Sequence, residues 1–317
     1  MENKGSCEKS VNGLKKKLLA IIILNYLDYE MTIKCIDHLK EIGVKYDIII
    51  IDNASPNKSY EILKEKYSSY ENIVVKRTSK NGGYGYGNNI GIQEAKKIAD
   101  FQYYCIMNPD AIIPVDYFQK LCNQIGQRKE YAVISPLMLY PDKLDLSKIS
   151  WDIKTPKEIY QFHFLLSKKA KTKVKKIYKY VGEGLIEADA VPGSCFIIDA
   201  GIFRKIGYFD EGNFLYNEEA MLSLKLKKIN KKCLISLTDY FIHNHIYEKN
   251  RKNIWKEYRE HFLDKIFRDY IISYKSREYL CRNYYNGQYL LNLKIVNIIN
   301  VLLLFGKYIL AKTFFKV

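Results

Sequence analysis

An α/β fold with a mostly parallel sheet is predicted for this chain of 317 residues. Its first hundred residues alternate short, continuous apolar runs with helical patterns. A continuous apolar run indicates a strand that is covered on both faces, and alternation with helices is typical of parallel βαβ units. Apolar residues make up 48% of the chain, which allows a large buried core and excludes global disorder.

Each element is predicted from its own local pattern. In the first half, strands are expected at Leu18–Leu24, Tyr46–Ile51, Asn72–Lys76 and Phe101–Met107. The helices between them are expected at Met31–Ile42, Tyr60–Tyr67 and Asn88–Ala99. The second half continues with a strand at Cys195–Asp199, a short helix at Ala200–Ile206, a helix at Glu218–Ile229 and a strand at Lys232–Leu237. From Glu248 onward the pattern is helical.

Three segments are expected: a flexible basic N-terminus (1–17), an α/β domain (18–247) and a C-terminal helical region (248–317). In the last segment, Leu290–Val317 is strongly apolar, and most of its polar side chains fall along one narrow helical stripe: Lys294, Asn297, Asn300 and Lys307. This pattern favours an amphipathic helix over a membrane-spanning one. Two placements stay open, against its own domain or on an anionic membrane surface.

The formal net charge of +16 indicates an anionic partner: phosphates, acidic lipids or nucleic acid. Many lysines cluster in the irregular stretch Leu144–Val181, which is interpreted as a solvated loop or, alternatively, as a lid that faces an anion or a membrane. The sequence has no aromatic–basic RNA-binding signature and no zinc finger, so no nucleic-acid partner is expected. Seven scattered cysteines without a Cys-x-x-Cys pair fit a cytoplasmic protein.

Four consecutive predicted strands end in polar or glycine-rich segments. Ligands of open α/β sheets bind at the carboxyl ends of the strands, so these segments are expected to meet at one edge. The candidate ligand-binding residues there are Asn25, Asp52, Asn53, Asn81, Gly82, Gly83, Asn88, Asn108 and Asp110. Each segment alone could be an ordinary turn, but four in succession indicate a binding edge. Two interpretations of the glycine-rich loop stay open. Its backbone could come close to a flat or anionic ligand, or the loop could be a flexible hinge.

Asp110 is the leading candidate for a metal ligand. A carboxylate on a turn fixed by Pro109 suits Mg²⁺ or Mn²⁺ shared with substrate phosphates, although Asn-Pro commonly just starts a turn. Of the two histidines after the last predicted strand, His243 and His245, at most one is expected to face the site, and His245 is taken as the second candidate ligand.

Glu218 and Glu219 open a predicted helix. Acidic side chains in a first helical turn are favourable for the helix dipole alone. The functional alternative is a general base that accepts a proton during catalysis.

As a set, these motifs resemble the family 2 glycosyltransferases, and most of all the bacterial rhamnosyltransferase-like branch that builds surface polysaccharides. The resemblance covers roughly residues 18–245, with the motifs in the family's order. They are Asn25-Tyr26, Asp52 to Ser55, Asn81 to Asn89, Asn108-Pro109-Asp110, Val191 to Cys195, Gly207 to Glu211 and Phe214 to Glu219. Arg282-Asn283 in the C-terminal part is also similar to that branch.

The resemblance implies a Rossmann-like GT-A fold and the inverting transfer of a sugar from dTDP-rhamnose or a UDP-hexose. The implied acceptor is a lipid-linked saccharide. Such an acceptor would place the enzyme peripherally at the inner face of the cell membrane. Asp52 would contact the nucleotide base, the segment 81–89 would lie along the nucleotide-sugar, and Asp110 would hold Mg²⁺ or Mn²⁺. Glu219 would be the catalytic base, with Gly193 and Glu218 as candidates for acceptor binding.

Three residues depart from the family pattern. Glu219 stands where an aspartate is usual, Met221 replaces a common acid, and Lys225 replaces a common arginine and lacks its bidentate fork. Altered specificity or weakened activity is the consequence to test. A nucleotidyltransferase that makes a nucleotide-sugar is the competing enzyme class, but its glycine- and arginine-rich loop does not follow the first predicted strand.

Overall fold

The computed structural model describes residues 14–141, 149–150, 152–162, 178–244 and 258–314. His245, most of the lysine cluster and the first thirteen residues lie outside these ranges. In the described part, ten strands form one mixed sheet.

The first half of the chain forms parallel βαβ units, which confirms the predicted alternation. The strands are β1 (Lys16–Asn25), β2 (Asp47–Asp52), β3 (Ile73–Arg77) and β4 (Asp100–Met107), and all pairings among them are parallel. The helices that connect them are α1 (Tyr29–Glu41), α2 (Ser59–Tyr67) and α3 (Tyr84–Ile98).

The central strands are apolar throughout because each face of the sheet carries its own hydrophobic core. On β1, Ile21 and Ile23 pack with Phe118 on one face, whereas Ala20 and Ile22 face the opposite core. Side chains of a strand alternate between faces, so a strand covered on both sides has no polar positions in its centre. This burial explains the continuous runs seen in the sequence.

The second half extends the sheet and adds three strands that run opposite to the first four. Its strands are β5 (Ala111–Ile112), β6 (Tyr131–Leu139), β7 (Lys179–Tyr180), β8 (Leu185–Ala188), β9 (Cys195–Asp199) and β10 (Lys232–His243). Its helices are α4 (Phe118–Gly126), α5 (Pro156–Phe162), α6 (Ala200–Lys205) and α7 (Glu218–Lys228). The sheet has the order β3-β2-β1-β4-β9-β6-β10-β8-β7, and β5 pairs with β10. β9 runs antiparallel to β4 and β6, β10 is parallel to β6, and β5 and β8 run antiparallel to β10.

The C-terminal region packs beside α7. It consists of a π-helical turn (Phe262–Phe267), α8 (Arg268–Tyr284) and α9 (Leu290–Phe314). A small core of Ile159, Met221, Leu280, Cys281 and Leu293 joins these helices to α5 and α7. Met221 is therefore a packing residue: it lies almost fully buried in this core, at a position where the family commonly carries an acid.

Helix α3 begins at Tyr84, four residues before its predicted start. Glycines lower helix propensity, so the segment 84–87 is predicted as a loop from sequence alone. Here they allow close packing: a Cβ on Gly87 would lie 2.3 Å from Leu24, and one on Gly91 would lie 2.4 Å from Ile22. Contact between α3 and β1 thus overrides the local preference.

Strand β1 begins at Lys16, two residues earlier than predicted, because Lys16 and Lys17 pair with the start of β4. The Lys17 ammonium also lies 2.8 Å from the Asp47 carboxylate. The last two residues of the segment predicted to be flexible are therefore part of the sheet.

Candidate functional site

Asp52 organises the carboxyl ends of β1, β2 and β3. Its carboxylate is fully buried and accepts hydrogen bonds from the Asn25 amide (2.9 Å) and the Ser55 backbone N–H (3.0 Å). The Arg77 Nε lies 3.7 Å from the same carboxylate. The Asn25 amide oxygen in turn accepts a hydrogen bond from the Thr32 hydroxyl at 2.8 Å. A buried carboxylate is tolerated only when it is paired and hydrogen-bonded, and these contacts satisfy that requirement.

Asn53 joins this network to the glycine-rich loop. Its amide donates to the Asn81 side-chain oxygen (3.0 Å) and to the Gly83 carbonyl (3.1 Å). The Gly83 N–H donates back to the same Asn81 oxygen at 3.1 Å. Gly83 has φ of +93°, and a Cβ there would lie 2.0 Å from the Phe214 carbonyl oxygen. Only glycine fits, because both the backbone conformation and the close contact exclude a side chain.

Asn88 and Gly82 lie on either side of the start of α3. Asn88 is buried and donates to the Tyr84 carbonyl at 3.0 Å, while its side-chain oxygen has no hydrogen-bond partner in the described part of the chain. Gly82 packs against Tyr86, whose ring would lie 2.4 Å from a Cβ. The structure therefore brings seven of the predicted binding residues into one contiguous region, from Asn25 to Asn88.

The turn after β4 holds Asp110 at the same edge of the sheet. The Asn108 N–H donates to the Ser194 carbonyl at 2.7 Å, and the Asn108 carbonyl accepts from the Ala111 N–H at 3.1 Å. Ser194 follows Gly193 directly, so this turn lies beside the segment that carries Gly193. The end of β4 is thereby connected to the segment of Gly193, where the acceptor is predicted to bind.

Asp110 lies against His243, the last residue of β10. The Asp110 Oδ2 and His243 Nε2 atoms are 3.2 Å apart. Antiparallel pairing of Ala111 with His243 and a 2.8 Å bond from the Asn244 N–H to the Asp110 carbonyl fix this position. Among the residues that the structure describes, no group of three or more His, Cys, Asp or Glu side chains could hold a metal.

The Asp110–His243 pair nevertheless fits a divalent ion that takes its other ligands from phosphate and water. A carboxylate suits both Mg²⁺ and Mn²⁺, and an imidazole is a better ligand for a first-row transition ion than for Mg²⁺. His245, the predicted histidine ligand, lies outside the described residues. The sequence prediction ended β10 at Leu237, whereas the strand continues through an irregularity between Ser236 and Tyr240 and delivers His243.

Glu219 stands in the first turn of α7 with its carboxylate against Gly193. A Cβ on Gly193 would lie 2.5 Å from the Glu219 Oε1 atom. Burial raises the pKa of Glu219, while hydrogen bonds from the backbone N–H groups of Glu219 and Gly193 to its carboxylate act in the opposite direction. A partly desolvated carboxylate fixed by backbone donors is well placed to accept a proton.

Glu218 is the more deeply buried member of the pair. Burial, together with the charge of Glu219, raises the pKa of Glu218 to about 8. The Asn213 amide lies 3.3 Å from its Oε1 atom and also donates to the Tyr216 carbonyl at 2.8 Å. Near neutral pH, the Glu218 carboxyl therefore holds a proton.

Tyr84 is a site residue that the sequence analysis did not single out. Its hydroxyl donates to the Gly193 carbonyl at 2.8 Å, and its N–H donates to the Phe214 carbonyl at 2.9 Å. Burial and the charges of the two glutamates raise the pKa of Tyr84 well above its usual value, so the hydroxyl stays a donor. Tyr84 on α3 thus contacts both the segment that carries Gly193 and the segment that leads into α7.

Two left-handed residues, Tyr216 (φ +76°) and Asn217 (φ +61°), form the turn that leads into α7. Such backbone conformations are costly unless neighbouring structure fixes them. Ser276 on α8 supplies that support, since its hydroxyl donates to the Tyr216 carbonyl at 2.6 Å and accepts from the Asn217 amide at 2.8 Å.

Lys225, which replaces a common family arginine, anchors the segment before this turn. Its ammonium lies 2.8 Å from the Asp210 carboxylate and donates to the Tyr208 carbonyl at 2.8 Å. The Tyr284 hydroxyl donates to the other oxygen of the same carboxylate. Asn89 holds this segment from the opposite side, through a 3.0 Å bond to the Phe209 carbonyl.

The chain is similar to known glycosyltransferases over most of its length. The chain is 27% identical to the rhamnosyltransferase WbbL of Escherichia coli strain K12 over 256 residues, which cover 79% of this chain and 92% of that protein. It is 24% identical to the low-salt glycan biosynthesis hexosyltransferase Agl10 of Haloferax volcanii over 258 residues, which cover 77% of this chain and 74% of that protein.

Two solved structures share the GT-A fold. The crystal structure of GalNAc-T7 with UDP, GalNAc and Mn²⁺ has a TM-score of 0.56 at 17% identity and covers 74% of this chain. The chain spans 45% of the length of that protein. The crystal structure of S. aureus TarS residues 1–349 has a TM-score of 0.50 at 14% identity, and the match covers 93% of this chain and 81% of that one.

The family assignment rests on the sequence as well as on the fold. The glycosyl transferase family 2 profile matches residues 20–207, more than half of the chain, from β1 to the end of α6. The matched range includes the strand-end residues from Asn25 to Asp110, whereas α7 with Glu219 and the end of β10 with His243 lie beyond it. The chain therefore belongs to glycosyl transferase family 2 and is a glycosyltransferase.

Proposed function

We propose that this enzyme transfers a sugar from a nucleoside-diphosphate donor to a saccharide acceptor with inversion at the anomeric carbon. The observation that carries the proposal is the position of Glu219. Its carboxylate lies on Gly193, whose neighbour Ser194 accepts a hydrogen bond from the turn that holds Asp110. The proposed base, Glu219, and the proposed metal ligand, Asp110, thus lie at the same edge of the sheet. A single displacement requires the base and the leaving diphosphate to be close to one sugar carbon.

The chemistry follows from these positions. Glu219 accepts the proton of the acceptor hydroxyl while the oxygen of that hydroxyl forms a bond to the anomeric carbon. The bond from that carbon to the diphosphate oxygen breaks, and its electron pair leaves with the nucleoside diphosphate. General-base catalysis of this kind contributes about 10²–10⁴-fold in rate, and a raised pKa makes the carboxylate a stronger proton acceptor.

Asp110 and His243 are the residues that would hold Mg²⁺ or Mn²⁺. When bound, such an ion supplies positive charge to the leaving diphosphate. The mixed carboxylate and imidazole donor set supports Mn²⁺ as the better fit. Mn²⁺ is also the ion in the GalNAc-T7 structure.

The donor is proposed to bind along the strand ends, at Asn25, Asp52, Asn53, Asn81, Gly82, Gly83, Asn88 and Asn108. Since hydrogen bonds and Arg77 already engage the Asp52 carboxylate, we assign Asp52 the role of holding the loop on which the nucleotide base lies. Similarity to a rhamnosyltransferase supports dTDP-rhamnose as donor, and similarity to a hexosyltransferase supports a UDP-hexose. The acceptor is assigned to the side of Gly193 and Glu218.

We place the reaction in the synthesis of a surface polysaccharide on a lipid-linked saccharide. The name of the Haloferax relative, which specifies glycan biosynthesis, supports the glycan assignment. A lipid-linked acceptor places the enzyme in the cytoplasm, peripherally at the inner face of the cell membrane.

The test is a transfer assay on the purified chain with dTDP-rhamnose and UDP-hexoses, each with Mn²⁺, Mg²⁺ or a chelator. The expected result is metal-dependent release of one nucleoside diphosphate together with a glycosylated acceptor. Glu219→Gln should lower kcat by about 10²–10⁴-fold, as expected for loss of a general base. Glu65→Gln, an exposed change on α2, should leave kcat unchanged and serves as the control.

Two results would overturn the proposal. One is wild-type transfer by both Glu219→Gln and Asp110→Asn. The other is release of pyrophosphate from a nucleoside triphosphate and a sugar phosphate, which would identify the nucleotidyltransferase alternative.

A further inference from the structure

The outward face of α9 is apolar along the described length of the helix. Five large side chains, each about half exposed or more, lie on it at intervals of four, three, four and seven residues: Leu291, Ile295, Ile298, Leu302 and Ile309. These intervals repeat with the period of the helix, so the side chains form one continuous stripe. We call this set the α9 stripe.

The face of α9 that packs on the protein carries two of the three asparagines of the helix, Asn297 and Asn300. The Tyr270 hydroxyl on α8 donates to the Asn297 side-chain oxygen at 2.8 Å, and Asn300 is 1% exposed. Leu293, Leu304 and Ala311 are buried on the same side. The helix is therefore amphipathic: Asn297 and Asn300 lie against its own protein, and the α9 stripe is turned to solvent.

This orientation argues against a helix that crosses a bilayer. The range Leu290–Thr313 is long and apolar enough to span a membrane by length and composition. However, spanning would break the Tyr270–Asn297 bond and expose Asn297 and Asn300 to hydrocarbon, which is costly. A helix held by its polar side and apolar on the other is instead suited to lie in the plane of a membrane interface.

We propose that the α9 stripe is a membrane-binding surface that inserts into the headgroup region of an anionic bilayer, parallel to its plane. Charge complementarity supports this partner. Lys294, Lys307 and Lys312 are exposed along α9, and the described residues of α9 include no aspartate or glutamate. At the adjacent π-helical turn, Lys265 and Arg268 are balanced by Asp264 and Asp269, so the net positive charge lies on α9 itself. Basic residues beside an apolar helical face bind acidic headgroups.

A second copy of the chain is the other partner that an apolar stripe could bind. Pairing two α9 helices would place their lysines along a common seam without acidic residues on those helices to neutralise them, whereas stable helix pairs carry opposite charges beside the seam. The charge pattern therefore favours lipid over self-association.

The test is sedimentation of the full chain with vesicles of phosphatidylcholine, either pure or with about 30 mol% phosphatidylglycerol, an anionic lipid. The wild-type protein should bind the anionic vesicles and bind the neutral ones about tenfold less. Ile298→Glu/Leu302→Glu should lose binding to both. Lys307→Glu/Lys312→Glu should lose only the preference for anionic vesicles.

Val115→Glu changes an equally exposed apolar residue outside α9 and should bind like the wild type. Thermal unfolding checks that each variant is folded, and light scattering gives the mass. A wild-type chain that does not bind anionic vesicles would overturn the proposal. So would a dimer that Ile298→Glu/Leu302→Glu converts to monomer. The inference deepens the proposed membrane location, but the assay needs neither donor nor acceptor, so it can fail while the proposed reaction stands.

Discussion

The Glu219 carboxylate rests on the backbone of Gly193 so closely that a single methyl group at Gly193 would come within 2.5 Å of its Oε1 atom. The atom that would be displaced is the end of a flexible side chain, not backbone. The contact therefore restricts the position of the base without contributing much to the stability of the fold.

Gly193→Ala is expected to lower kcat by about 10²-fold, because a shift of about 1 Å in a catalytic group costs that much. The melting temperature should change little, since the carboxylate can move aside. The measurement is kcat beside a thermal melt. Gly306→Ala, where an added Cβ meets nothing within 4 Å, is the matched control. A wild-type kcat in Gly193→Ala would show that the contact does not set the position of the base.

Glu219→Asp tests whether this site is adapted to the longer carboxylate. Shortening the side chain by one methylene withdraws the carboxylate from the Gly193 N–H, so kcat should fall by about tenfold or more, as for other misplacements of this size. KM for the donor should stay near the wild-type value. An increase in kcat would instead mean that the family's usual aspartate is better suited to this site.

The raised pKa of Glu218 makes the stability of the folded protein fall as pH rises. Its pKa is raised from 4.5 to about 8, so the folded protein retains a proton that the unfolded chain releases between these values. Stability should therefore be highest at low pH within this window and decline as pH rises towards about 8. Glu218→Gln should flatten the decline, which thermal melts across the window would reveal. Parallel curves for the two proteins would contradict the assignment.

Lys225→Ala should destabilise the protein by about 1.5–3 kcal/mol, the usual range for loss of a hydrogen bond to a charged group. The loss arises because Asp210 would keep only the Tyr284 hydroxyl among its described partners. Denaturant unfolding measures the effect. A double-mutant cycle with Asp210→Asn separates the ion pair from the Tyr208 contact, and additive effects would show that the pair is not coupled. Lys225→Arg should retain most of the stability.

The strand ends were predictable from sequence because their side chains follow buried apolar runs. Parallel pairing in register then places Asn25 opposite Asp52, and no information beyond strand order is needed. The start of α3 and the end of β10 were not predictable in the same way. Gly87 suits a helix there only because Leu24 packs against it, and His243 reaches Asp110 only because β10 resumes after its irregularity. Both depend on contacts between distant parts of the chain.

The support that Ser276 gives to the turn before Glu219 can form only after the sheet has been synthesised. The hydroxyl that supports the Tyr216–Asn217 turn lies on α8, which follows the whole sheet in the chain. During synthesis, the strands and α7 leave the ribosome first, and the turn before Glu219 lacks these two hydrogen bonds until α8 has emerged. A nascent chain can thus form its sheet before α8 holds the turn that precedes Glu219 in place.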